Sequence, residues 1–132
     1  MATILIVDDD PTVALTFSRI LELDGHQVVR AETAAEGLTR VAGAPPDAVI
    51  LDMRMPLMSG LEFMRRLRGD QACRDLPVGI VTGDYFLKED VLAELSDLGA
   101  TVCYKPVWMD DLQALTRSLL DGSAGSASAQ AV

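Results

Sequence analysis

Short apolar runs rich in Ile and Val alternate along this chain with longer stretches whose apolar residues recur at helical spacing, the signature of an α/β sheet. The first run, Ile4-Leu5-Ile6-Val7, is apolar at every position, as a strand covered on both faces must be. It breaks at Asp8-Asp9-Asp10-Pro11. Asp10 before a proline predicts an N-cap and a first helix that buries Val13, Phe17, Ile20 and Leu21 and stops at Gly25. A more polar second strand over 26–31 suits a place near the sheet edge. Thr33 and Glu36 predict a capping box for a second helix ending at Gly43, and Pro45-Pro46 force an extended approach to a third strand, Ala48 to Leu51, that ends at Asp52. Ser59 and Glu62 predict another capping box, opening a helix with Leu61, Phe63, Met64 and Leu67 at core spacing. The rest of the pattern predicts a fourth strand over 77–81 and a fourth helix from Phe86 to Leu98, closed by Gly99. A fifth strand over 101–104 and a last helix from Trp108 to Leu120 follow.

Five β-α units imply parallel strands with right-handed crossovers, helices on both faces, and a site at the carboxyl ends of the strands. The 132 residues fit one domain, expected over 1–121, with the Ser, Ala, Gly and Gln of 122–132 read as a flexible tail or truncated linker. No apolar run approaches the roughly 20 residues of a membrane span, and Met1 leads straight into a strand without a basic leader, so the expected location is the cytoplasm. A net charge of -9 argues against direct nucleic-acid binding, which needs clustered Lys and Arg. Cys73 and Cys103 stand outside any CxxC or Cys/His metal spacing and read as free thiols.

The informative polar residues are those that end strands. Asp8 and Asp9 follow the first, Asp52 the third, Thr82 the fourth and Lys105 the fifth, so a parallel sheet gathers all five on one rim. Carboxylates held that close repel one another unless a cation sits among them or one takes up a proton. Hard oxygen ligands with room for water suit Mg²⁺. Such a cation with a spare carboxylate, a hydroxyl and an ammonium suits phosphoryl transfer, where catalysis is largely the positioning and neutralising of charge on the transferred group. Asp52 is the expected nucleophile, with Lys105 and Thr82 taking phosphoryl oxygens.

Val7-Asp8-Asp9, Leu51-Asp52-Met53-Arg54-Met55-Pro56, Ser59-Gly60, Val81-Thr82-Gly83, Gly99-Ala100 and Tyr104-Lys105-Pro106, in that order, resemble the receiver domains of two-component signalling, over residues 3–120. The resemblance implies a flavodoxin-like, doubly wound (βα)5 fold of strand order 2-1-3-4-5. It implies that Asp9 and Asp52 ligate Mg²⁺ directly, that Asp8 helps through water, and that the backbone carbonyl of Arg54 completes the protein ligands. It implies phosphorylation of Asp52 by a sensor histidine kinase or histidine phosphotransfer protein, with the domain assisting that reaction rather than acting as an enzyme. A downstream protein would bind the face made by helix 4, strand 5 and helix 5. It also implies a cis peptide between Lys105 and Pro106.

Several residues have plainer readings. Asp10 is explained as an N-cap. His26 reads as a surface or strand residue without a partner. Met53, Met55, Met58 and Met64 read as packing, because thioethers are soft ligands and Mg²⁺ is hard. Trp108 reads as a partly buried anchor of the last helix. In isolation Thr82 would be an ordinary strand residue and Lys105 a solvated one; the acids on the same rim draw both into the site.

Two features depart from the receiver pattern. Many receivers place an aromatic residue three positions before the lysine, where Val102 stands here, and Tyr104 precedes Lys105 instead. Arg54, two positions past Asp52, is long and cationic; it could pair with a phosphoryl group or with Asp84 and shield an acyl phosphate. Three other readings compete. A Mg²⁺-dependent aspartate-nucleophile phosphohydrolase would need a general acid where Arg54 stands. A flavodoxin-like cofactor binder would need a Gly, Ser and Thr-rich loop where Asp8-Asp9-Asp10-Pro11 stands. A docking receiver that is never phosphorylated keeps the fold and drops the chemistry.

Overall fold

The computed structural model describes residues 2–121, so the expectation for the 122–132 tail lies outside the described residues. Strands β1 (Thr3–Val7), β2 (Gln27–Ala31), β3 (Ala48–Asp52), β4 (Val78–Thr82) and β5 (Ala100–Tyr104) alternate with helices α1 (Pro11–Leu23), α2 (Ala34–Gly43), α3 (Gly60–Gly69), α4 (Glu89–Asp97) and α5 (Met109–Leu120). A short 3₁₀ turn, Gln71–Cys73, precedes β4. All strand pairs are parallel, in the order β2-β1-β3-β4-β5 that the resemblance implied.

Strand alternation sorts the core into two layers. Leu5, Val7, Val49, Leu51, Val78 and Ile80 face the α2, α3 and α4 side, where they meet Val41, Phe63, Met64, Leu67 and Leu95. Ile4, Ile6, Ile50 and Val81 face the other way, onto Phe17 and Leu21 of α1 and Leu112, Leu115 and Leu119 of α5. Two glycines let helices come close. A Cβ on Gly37 of α2 would stand 2.9 Å from Cγ2 of Val7, and one on Gly79 of β4 would stand 3.0 Å from Cδ2 of Leu115.

Several sequence expectations need correction. Helix α4 begins at Glu89 rather than Phe86, because Asp84 captures the Phe86 amide in a loop turn at 2.9 Å and Phe86 stays 91% exposed. Trp108 is not a buried anchor: it stands at the N-cap of α5, 69% exposed, its amide donating to Asp111 Oδ2 at 3.0 Å. Only half of each expected capping box forms. Thr33 and Ser59 accept from the Glu36 and Glu62 amides, but the Glu36 carboxylate takes the Glu32 amide and Glu62 pairs with Arg66. His26 has partners after all, accepting from the Ala2 amide at 3.3 Å and lying 3.8 Å from Asp24.

Candidate functional site

Because every strand is parallel, the residues that end β1, β3, β4 and β5 share the carboxyl rim. The N-cap role of Asp10 is as expected, with Oδ1 accepting from the Thr12 and Val13 amides at 2.9 and 3.4 Å. That turn swings Asp8 and Asp9 toward the end of β3. Asp8, Asp9 and Asp52 each bring a carboxylate oxygen within 4.8 Å of the other two. Asp8 is buried, Asp9 exposed and Asp52 between. Asp8 Oδ1 accepts from the Asp10 amide at 2.9 Å. Lys105 Nζ stands 3.8 Å from Asp52 Oδ1, carried on β5 just past the strand end and followed by the cis Lys105–Pro106 bond. Thr82 is buried, its Oγ1 accepting from the Asp84 amide at 3.0 Å while its carbonyl takes the Lys105 amide at 2.8 Å. All five sequence-selected residues therefore come together.

The electrostatics are those of an acid cluster short of positive charge. Burial pushes the Asp8 and Asp52 carboxyls above their ordinary range, and the neighbouring carboxylates push the same way; Lys105 and nearby backbone amides oppose the rise. The donor set is all oxygen, with no soft ligand, and its uncompensated charge is what a hard divalent cation relieves.

Arg54 and Asp84 form the rim of this hollow, which has a volume of about 360 Å³ and is lined by them together with Asp52, Thr82, Gly83 and Lys105. Of the two pairings open to Arg54, the structure shows the one with Asp84: Arg54 Nη2 donates to Asp84 Oδ2. That bond pulls the Asp84 carboxyl below its ordinary range, helped by the Phe86 amide. Asp84 thus connects four things: Arg54, the Thr82 hydroxyl, the Phe86 amide and the β4–α4 loop itself.

Sequence reading missed Tyr85. Its ring stacks on Tyr104, centroids 5.4 Å apart and planes 15° from parallel. Tyr85 lies in the β4–α4 loop and Tyr104 ends β5, so no local pattern signals the pair; the available hint was two consecutive aromatics immediately after Thr82-Gly83-Asp84. Position 102, where many receivers carry an aromatic, holds the half-buried Val102.

With this geometry, the chain belongs to the response regulator receiver domain family, whose profile matches residues 4–117. It is 38% identical over 134 aligned residues to the response regulator MprA of Mycolicibacterium vanbaalenii, covering 96% of this chain and 55% of that protein. It is 42% identical over 82 residues to protein PilH of Pseudomonas aeruginosa, covering 62% of this chain and 68% of PilH. The chain thus spans about half the length of the MprA regulators it matches (55%). Among solved structures it is similar to the chemotaxis protein CheY4 of Vibrio cholerae, with a TM-score of 0.83 at 28% identity over 91% of this chain and 99% of that one. The receiver domain of a signal transduction histidine kinase from Syntrophus aciditrophicus superposes with a TM-score of 0.82 at 30% identity, over 92% of each chain.

Proposed function

We propose that this receiver domain takes a phosphoryl group on Asp52 from a phosphohistidine of a sensor kinase or phosphotransfer protein, and that the phosphorylated form changes what the domain binds. The observation that carries the reading is the convergence of Asp8, Asp9 and Asp52 within 4.8 Å, with Lys105 Nζ 3.8 Å from Asp52. An Asp52 oxygen attacks phosphorus, the P–N bond to the donor imidazole breaks, and the imidazole nitrogen leaves with the electron pair and takes a proton. Lys105 neutralises one phosphoryl oxygen, and the Thr82 hydroxyl exchanges the Asp84 amide for another.

Asp8, Asp9, Asp52 and the carbonyl of Arg54 would hold Mg²⁺, which when bound supplies the positive charge that lets a phosphoryl group approach three carboxylates. Arg54 gives no proton to a leaving group, since its pairing with Asp84 raises its already high pKa further; this weighs against the phosphohydrolase alternative. The acidic balance of the chain and the lack, among the described residues, of any helix long and apolar enough to cross a membrane fit a cytoplasmic signalling role. The output surface is the side built from α4, β5 and α5.

The test is incubation with acetyl phosphate and Mg²⁺, followed by intact mass. One phosphate should add to the parent and none to Asp52→Asn, and chelating the divalent cation should suppress the reaction. Equal labelling of Asp52→Asn would refute the assignment. A parent that takes no phosphate from acetyl phosphate or a panel of kinases would leave a docking receiver.

A further inference from the structure

Bare aromatic surface is concentrated at one edge of the molecule. Of eight large hydrophobic side chains exposed among the described residues, five lie at the β4–α4 loop or at the end of β5 and the start of α5: Tyr85, Phe86, Tyr104, Trp108 and Met109. Phe86 is 91% exposed and Trp108 69%. Four of the five are placed by specific contacts. Asp84 Oδ1 fixes the Phe86 amide, Asp111 fixes the Trp108 amide, and Tyr85 and Tyr104 brace one another. Exposed apolar patches of this kind mark interaction sites.

The charge around the patch specifies what fits. Glu89 and Asp90 fill the first turn of α4, and Asp110 and Asp111 fill the first turn of α5; all four are exposed. Carboxylates there also suit the helix dipoles, which accounts for acids at these positions but not for the shortage of cations. Across residues 83–111 the only lysines are Lys88 and Lys105, and there is no arginine. Lys105 is turned to Asp52. Faces of stacked tyrosines and an exposed indole attract ammonium and guanidinium groups, and flanking carboxylates strengthen that attraction.

We infer that this edge receives a cationic, apolar-faced segment of a partner protein, whose Lys or Arg side chains meet the tyrosine pair and the four carboxylates while its apolar side chains cover Phe86 and Trp108. This deepens the receiver reading and rests on it, because the α4–β5–α5 side is there the output surface. Asp84 ties the patch to the site: it bonds Arg54, the Thr82 hydroxyl and the Phe86 amide. Movement of Thr82 toward a phosphoryl group would therefore be felt at Phe86.

Trp108 is the only tryptophan in the chain, so its emission reports directly on the patch. Two amphipathic helical peptides with identical leucine positions, one carrying Lys and Arg and the other Glu elsewhere, would be titrated into the full chain before and after acetyl phosphate treatment. Phosphate incorporation would be measured by mass in the same samples. The cationic peptide should shift Trp108 emission and bind at least about tenfold tighter than the acidic one in one or both forms, with affinity falling as salt rises. Phe86→Ala, whose side chain packs little, and the double variant Glu89→Gln/Asp110→Asn should each weaken that binding about tenfold. Equal affinity for the two peptides, or full affinity in both variants, would overturn the inference. Failure of phosphate incorporation would instead overturn the phosphoacceptor reading and leave a docking receiver, because it is read independently of the peptides.

Discussion

Arg54 Nη2 donates to Asp84 Oδ2 across the mouth of the hollow that holds Asp52, so a guanidinium from the β3–α3 loop and a carboxylate from the β4–α4 loop close one side of Asp52. The guanidinium there stands in the way of a water that would attack an acyl phosphate on Asp52 from the side it closes. Arg54→Ala should therefore shorten the lifetime of phosphorylated Asp52, by a factor on the order of tenfold, equivalent to about 1.4 kcal/mol of barrier. Asp84→Ala should do the opposite or nothing, since it frees Arg54 to bind the phosphoryl group. Decay of the acyl phosphate, followed by intact mass after donor removal, decides the matter; unchanged or slower hydrolysis in Arg54→Ala would refute the shielding.

The acid cluster should cost the apo protein stability in a pH-dependent way. Folding raises the Asp8 and Asp52 carboxyls from their ordinary 3.8, so across that window the folded state holds more protons than the unfolded one. Stability contributed by these two groups thus falls as pH rises through the window. Asp52→Asn and Asp8→Asn lack that penalty. Their melting temperatures in chelator should exceed the parent's by a few degrees near pH 7, with the advantage vanishing toward about pH 4. Adding Mg²⁺ should raise the parent and not the variants. Thermal melts with and without Mg²⁺ give the comparison, and an advantage that grows on acidification would contradict the sign.

Gly37 offers a contest between propensity and packing. Alanine is favoured over glycine in a helix by about 1 kcal/mol. Here the added methyl would meet Val7 Cγ2 at 2.9 Å and Phe63 Cε2 at 3.2 Å, both side chains fully buried, with Val7 fixed in a strand paired on both sides. Overpacking of about 1–3 kcal/mol should outweigh the gain, leaving Gly37→Ala less stable by about 1 kcal/mol in urea unfolding. A more stable variant would show that α2 can back away from β1.

Thr101 lies in β5 with its Oγ1 buried and without a hydrogen-bond partner. Burying an unpaired hydroxyl is unfavourable, and valine has nearly the same shape. Thr101→Val should raise stability by about 1 kcal/mol without altering phosphate uptake, measured by urea unfolding and by intact mass. A loss of stability would mean that the hydroxyl is satisfied by water.

The strands and the acid cluster with its lysine were legible because each depends on local pattern. Apolar runs such as Ile4 to Val7 give a buried strand, and parallel topology then carries Asp8, Asp9, Asp52, Thr82 and Lys105 to one rim. What was not legible depends on contacts between segments distant in sequence, or on side chains that override a pattern. Leu87 has helical spacing with Val91, Leu95 and Leu98, but the Asp84 carboxylate holds the Phe86 amide outside α4. Trp108 reads as a partly buried anchor from its place at the start of the last helix, whereas Asp111 caps the amide of that residue and leaves the ring in solvent. The Tyr85–Tyr104 stack joins the β4–α4 loop to the end of β5, and Arg54 pairs with Asp84, thirty positions further along the chain.

The two-layer core has a consequence for how the α4–β5–α5 edge behaves. Helix α4 is seated through Leu95 in one layer, and α5 through Leu112, Leu115 and Leu119 in the other, with the sheet between them. The edge is therefore a seam where two separately packed halves come to the surface side by side. Loosening either half tilts one lip of the seam against the other, so modest core changes as far apart as Leu95→Val and Leu119→Val should converge on one phenotype: altered partner affinity with phosphate uptake intact. A protein built this way can be retuned for a new partner from its interior, without touching the residues that meet either the phosphate or the partner.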